Sequence, residues 1–320
     1  MSWQTQDGRH FRRVAPAPTV LGMTAITVQG LRKAYDSHEA VRGVSFEVQH
    51  GEVFCLLGPN GAGKTTTVEI LEGHRRADAG RVDVLGFDPA KAERALLDRI
   101  GIVLQSSGLP PALTVAELLD MHARWYRRPR DPREVVELVE LGDARDTRVH
   151  ALSGGRRRRL DLALGLIGDP DVLFLDEPTT GFDPHARRQA WGTIRALCDE
   201  GRTVVLTTHF MDEAQALADR VAVMRDGELV AQGPPSELAG RDSWPAEIRF
   251  RLPAGVDLPR LDGAVSLEGA TVVVTTDRPT ATVHDLTGWA VERGLDLPGL
   301  AVERPSLEDV YLSLTEEVAA

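Results

Sequence analysis

The chain has 320 residues, 42% of them hydrophobic and 27% charged, which suits a globular protein with one large or two modest cores. A formal net charge of −11 argues against a nucleic-acid-binding surface, which needs a clustered positive field. No window approaches the roughly 18 apolar residues of a spanning helix, and the stretch from Asp171 to Asp176 is bounded by carboxylates. Cys55 and Cys198 lie far apart in apolar stretches, which points to reduced, buried thiols in the cytosol rather than a disulfide framework.

Residues 1–22 are polar, carry Pro16 and Pro18, and lack both periodicity and the apolar centre of a signal peptide. They are expected to be a flexible tail, with Met23 an alternative start. Strand patterns begin with Ile26, Val28 and Leu31, continue in Val44 to Val48, and reach the buried run Val53 to Leu57 before a glycine-rich turn. Helices are then predicted over Lys91 to Arg99, between Thr114 and Val139, and from Pro184 to Cys198. They alternate with strands at Ile100 to Leu104, Asp171 to Leu175 and Thr203 to Thr207, an order that implies a mostly parallel α/β sheet. After Gly233-Pro234-Pro235 the pattern changes to strands at Ile248 to Leu252 and Thr271 to Thr275, a helix over Thr280 to Glu292 and a last helix from Ser306. Residues 241–320 are therefore expected to form a small α+β appendage.

Gly58-Pro59-Asn60-Gly61-Ala62-Gly63-Lys64-Thr65 fits the phosphate-loop pattern G-x-x-x-x-G-K-[ST] at every fixed position, between an apolar strand and a helix. Glycines let successive backbone N–H groups curl around phosphates at a positive helix end. Lys64 is placed to reach the β- and γ-phosphates of ATP and Thr65 to ligate Mg²⁺, with Thr66 following in the helix. The run Val172 to Asp176-Glu177 supplies the partner: strand-end carboxylates are costly to bury without a cation, so Asp176 is read as holding Mg²⁺ through water and Glu177 as polarising the attacking water.

Leu152-Ser153-Gly154-Gly155 lies between these motifs, and with it residues 24 to about 235 closely resemble the ABC ATPases. The resemblance implies an α/β fold: a P-loop ABC ATPase cassette over 23–240 with a RecA-like core, an antiparallel β subdomain and a helical subdomain at about 106–155, followed by the α+β appendage. It also implies roles. Tyr35 is similar to the aromatic that stacks on adenine, Gln105 to the glutamine that senses Mg²⁺ and meets the membrane partner, Asp183 to the aspartate that crosses the dimer, and His209 to the switch histidine on the γ-phosphate. Ser153, Gly154 and Gly155 would serve the nucleotide of a second copy, acting from a helix N-terminus on the spread phosphate charge. The Ser-Gly-Gly-Arg-Arg-Arg-Arg stretch, Glu177-Pro-Thr-Thr-Gly181 and Arg304-Pro-Ser-Leu-Glu-Asp-Val-Tyr-Leu312 resemble the daunorubicin-resistance type of drug exporter. In that type a separate permease of about six helices completes the transporter, with the ATPase peripheral on the cytoplasmic side of the membrane. One cassette and no heptad run count against a soluble ABC ATPase of ribosomes or DNA, and few strands in the appendage count against an importer.

Two positions depart from the family pattern. Arg156 replaces the usual glutamine and begins a run to Arg159, read either as a solvated face neutralised by nearby acids or as added attraction, through Arg156, to the neighbour's γ-phosphate. Phe182 replaces leucine, for which only local repacking is expected.

Overall fold

The computed structural model describes residues 23–316 except 105–107, 239, 241–243, 254, 255 and 270. The expected tail at 1–22 and the candidate ligand Gln105 thus lie outside the described residues. The chain forms two compact units, one containing the chain up to Leu31 with Ser45–Val53 and Val68–Leu206, the other containing Arg32–Val44, Phe54–Thr67 and the chain from Thr207 onward.

Strands β1 (Thr24–Tyr35) and β2 (His38–Gln49) bury Ile26, Val28, Leu31, Val44, Phe46 and Val48, the one-sided alternation of an antiparallel hairpin. Strand β3 (Val53–Leu57) is buried at every position, as in a strand covered on both faces. Helix α1 (Lys64–Leu71) follows the glycine loop, and β4 (Ala79–Val84) completes a sheet of order β2-β1-β4. The helix expected over Lys91 to Arg99 is shorter. Ala92 adopts φ 48°, which ends a 3₁₀ turn at Pro89–Lys91 before α2 (Arg94–Leu97) starts.

After β5 (Ile100–Val103), α3 (Val115–Ala123) opens with a capping box: Thr114 Oγ1 accepts from Glu117 N at 3.2 Å and Glu117 accepts from Thr114 N at 2.8 Å. Helix α4 (Pro132–Leu138) begins with Asp131 accepting from Arg133 N and proline at the first turn. Both pack against α5 (Gly154–Leu166). Helix α5 in turn lies close on β5, where a Cβ on Gly101 would sit 2.1 Å from the carbonyl oxygen of Gly165. Strand β6 (Val172–Asp176), helix α6 (Pro184–Asp199), strand β7 (Thr203–Thr208), helix α7 (Met211–Leu217) and strands β8 (Arg220–Arg225) and β9 (Glu228–Gly233) follow.

In the first unit the strand order is β5-β6-β7, with β5 and β6 parallel from Ile100↔Val172 to Val103↔Leu175. In the second it is β7-β3-β8-β9, with β3 and β8 parallel from Phe54↔Arg220 to Leu57↔Val223 and β9 an antiparallel edge. Val204 N donates to Glu52 O at 2.9 Å and Gly58 N to Thr208 O at 3.4 Å, so β7 and β3 run the same way. The parallel α/β prediction holds. Cys55 is buried and Cys198 half-buried, and both are free thiols.

The C-terminal segment folds as an antiparallel sheet of β10 (Ala246–Arg251), β11 (Ala264–Glu268), β12 (Thr271–Thr276) and β13 (Ala301–Glu303) in the order β11-β12-β10-β13. Helix α8 (Pro279–Glu292) covers one face, burying Leu286 and Ala290 against Ile248, Phe250, Val272 and Val274. The sequence allows the last helix, α9 (Leu307–Glu316), to be buried against the appendage's strands, a partner protomer or a permease. In the structure α9 contacts α7, and Leu307 is buried. In the sequence Leu307, Val310, Tyr311 and Leu314 fall at helical spacing as an apolar stripe, of which the side chains of Val310 and Leu314 lie outside the described ones.

Candidate nucleotide site

The second unit carries the phosphate loop. Gly61 (φ 84°) and Gly63 (φ 97°) turn the chain through the left-handed region that favours glycine. Gly58 and Gly63 also sit against other backbone, since a Cβ on either would lie 2.3 Å from the carbonyl oxygen of Met224 or Ala40 respectively. Gly227 fastens the loop to β2: its N–H donates to Ala62 O at 3.2 Å and its carbonyl accepts from Arg42 N at 2.7 Å. Lys64 is buried at the start of α1, and its Nζ donates to Gly58 O at 2.7 Å and Pro59 O at 2.9 Å. Thr65 and Thr66 occupy the first turn beside it. His209 follows the end of β7 directly, where the Thr208 carbonyl accepts from Gly58, so it stands beside the entrance to the loop. Tyr35 is half-buried at the end of β1, with Lys33 Nζ 5.6 Å from its ring centroid.

The first unit carries the acids. Asp176 and Glu177 are buried at the end of β6, and Thr180 Oγ1 donates to Glu177 Oε2 at 3.2 Å. Glu177 itself has φ 48°. Glu72, at the end of α1, is missed by motif reading. It is 3% exposed beside His74 Nδ1 at 3.1 Å, and burial, then the charges of Asp176 and Glu69, push its carboxyl up to about 8. A neutral acid thus lies in the field of Asp176 at neutral pH. The signal in the sequence is a second carboxylate, Glu72, three residues after Glu69 and directly after the apolar pair Ile70-Leu71.

Ser153 caps α5, its Oγ accepting from Arg156 N at 3.4 Å. Ser153 and Gly154 are exposed, and nothing stands within 4 Å of a Cβ built on Gly154 or Gly155. Asp183 is exposed and caps α6, accepting from His185 N and Ala186 N at 2.9 Å each, and these bonds hold its carboxyl below the usual range. Of the four arginines, Arg156 and Arg157 are exposed while Arg158 and Arg159 are half-buried. Arg156 pairs with Asp143, Arg157 donates to Val149 O at 3.2 Å, Arg158 binds backbone carbonyls, and Arg159 contacts Glu140 and Gln189. Phe182 lines a small apolar cavity with Leu162, Pro178 and Ile194, consistent with local repacking.

The donor set fits a magnesium nucleotide. A glycine cradle opens onto a helix beginning Lys-Thr, the pairing that receives phosphates. Among the described residues no cluster of three or more His, Cys, Asp or Glu could hold a metal. Thr65 in the second unit and Asp176 in the first each carry a hard oxygen of the kind Mg²⁺ takes, alongside substrate phosphates and water.

Comparison with known proteins agrees with this chemistry. Residues 41–180 match the ABC transporter family and residues 246–306 match the ABC transporter domain-containing protein-like, C-terminal domain. The chain is 40% identical over 315 residues to the Nod factor export ATP-binding protein I of Ralstonia nicotianae, covering 94% of this chain and 96% of that protein. It is also 40% identical to the daunorubicin resistance ATP-binding protein DrrA3 of Streptomyces coeruleorubidus, covering 91% and 96%. Among solved structures, cbiO1 from Clostridium perfringens aligns with TM-score 0.60 at 30% identity, over 67% of this chain and 90% of that one. No described helix is long and apolar enough to cross a membrane. With a phosphate loop, a buried Asp-Glu strand end and similarity running nearly end to end, the chain belongs to the ABC transporter family as an ATP-binding subunit of exporter type, and is an ATPase.

Proposed function

We propose that the chain hydrolyses ATP as a dimer with a second copy of itself and drives export through a separate transmembrane permease. The observation that carries this reading is the open N-terminus of α5, where Ser153 and Gly154 are exposed and a Cβ built on Gly154 or Gly155 would meet nothing within 4 Å. A helix N-terminus aimed outward suits the γ-phosphate of a neighbouring protomer.

In this reading the phosphates lie along the N–H groups from Gly61 to Thr66, and Lys64 exchanges its bonds to Gly58 and Pro59 for the β- and γ-phosphates. Thr65, Asp176 and Gln105 are the residues that would hold Mg²⁺, which when bound would supply neutralisation of the phosphate charge. Glu177 orients water and takes up its proton, and His209 contacts the γ-phosphate. Tyr35 stacks on adenine, and Asp183 reaches across the dimer from the cap of α6. Residues 23–240 act as the cassette and 241–320 as an accessory domain without ATP chemistry. The transported molecule is drug-like, antibiotic-like or lipid-like, in keeping with relatives named for Nod factor export and daunorubicin resistance.

Mixing a Lys64→Ala chain with a Ser153→Arg chain tests the composite site. Each homodimer should be inactive, while the heterodimer holds one intact site and should recover up to about half the turnover of a wild-type dimer, one working site of two. Recovery indistinguishable from the separate variants rules out the shared site.

The permease is expected to dock at Gln105 and at the segment from Thr114 to Tyr126. Val115 and Leu118 are fully buried there and serve the core, whereas Trp125, 56% exposed, and Leu104 and Leu97 offer apolar contact. The main chain of Trp125 accepts from Arg94 of α2, the helix that carries Leu97. A photocrosslinker at Trp125 should capture the co-expressed permease on the cytoplasmic face of membrane vesicles. Capture only from positions in 241–320 places docking elsewhere.

A further inference from the structure

Arg158 occupies an unusual position for a cation in the first turns of a helix. Its side chain is 10% exposed, and its donors converge on main-chain carbonyls: Nη1 on Leu104 at 2.8 Å, Nη2 on Glu177 at 2.9 Å and Asp176 at 3.4 Å, and Nε on Pro178 at 3.3 Å. Asp161, 6% exposed, balances the charge from one turn further along α5 at 3.9 Å. A planar guanidinium can hold several carbonyls in a fixed plane, which a lysine ammonium cannot reproduce.

The peptide held by this fork contains a strained residue. Glu177 has φ 48°, a conformation that costs a side-chain-bearing residue and persists only where its surroundings over-determine it. Thr180 N adds a second donor to the Glu177 carbonyl at 3.3 Å, and Thr180 Oγ1 steadies the carboxylate. The fork also reaches Leu104, the residue before Gln105. One side chain on the helix capped by Ser153 thus fixes the main chain that bears Glu177.

We propose that Arg158 is a positioning residue for ATP hydrolysis: it locks Glu177 in its left-handed conformation so that the carboxylate is aimed at water, and it ties that aim to helix α5. This deepens the role given above to Glu177 and rests on it. Because α5 begins at Ser153, movement of the helix by a neighbour's nucleotide would be felt at Glu177 of the same chain.

The test is a double-mutant cycle in the full-length chain using Arg158→Met, Glu177→Gln and both together, with ATP turnover and nucleotide affinity measured separately. Arg158→Met should lower kcat at least about tenfold while the KM and Kd for ATP stay within about twofold, since misplacement of a reacting group costs the chemical step. Once Glu177 is Gln, adding Arg158→Met should cost nothing further, because the two act as one unit. Arg158→Lys keeps the stem and charge without the fork and should show the same split with a smaller loss. It also serves as the probe if Arg158→Met does not accumulate. Unchanged kcat, a loss confined to KM, or multiplicative losses in the double variant would overturn the proposal. If Glu177→Gln alone keeps wild-type turnover, the role of Glu177 fails first and that of Arg158 falls with it.

Discussion

Glu177→Gln should bind ATP as tightly as the parent chain and turn it over about 10²- to 10⁴-fold more slowly, the range lost when a general base is removed. The substitution is nearly isosteric, so the bond from Thr180 Oγ1 and the main-chain bonds to its carbonyl survive, and binding has no reason to change. An amide oxygen keeps the geometry but cannot take up a proton at neutral pH. The variant should therefore collect as an ATP-loaded dimer, visible as an ATP-dependent doubling of mass by light scattering. Steady-state hydrolysis within a few-fold of the parent removes Glu177 from its role.

The largest loss of binding is expected from Gly63→Ala. The added Cβ would sit 2.3 Å from the carbonyl oxygen of Ala40, and φ 97° is strained for any residue with a side chain. Gly61 provides the control, because it has φ 84° but nothing within 4 Å of its Cβ. Gly61→Ala should then cost only the backbone term, about 1–2 kcal/mol, while Gly63→Ala adds overlap for a total of about 2–5 kcal/mol. At the size of this chain that difference corresponds to a further fall in Tm of several degrees, readable by differential scanning calorimetry. Movement of the loop away from Ala40 should also misdirect the N–H groups, weakening ATP binding by at least about 100-fold. Equal effects of the two substitutions on stability would show that the contact with β2 does not set the loop.

The sequence already contained the parts with local causes. The phosphate loop is a contiguous octapeptide whose glycines answer to backbone sterics, and the strands Val53–Leu57 and Val172–Asp176 read as buried because every position is apolar until the final carboxylate. Asp131, Thr114, Ser153 and Asp183 are legible as helix caps from residue type and the next few positions, as caps are satisfied within one turn. Tertiary structure decided what depends on residues distant in sequence. Arg156 to Arg159 look alike as a run, yet each takes a different partner, because successive residues on a helix point about 100° apart. Strands β11 and β13 are short edges with exposed Leu267 and Val302, so they lack the pattern that burial imposes and are defined only by pairing with β12 and β10. The apolar positions of α9 imply that something must cover them, but a stripe carries no address, and only the folded chain shows that α9 lies against α7. For the same reason the neutral state of Glu72 is absent from its motif: it comes from burial and from the charge of Asp176, a hundred residues away in sequence and near in space.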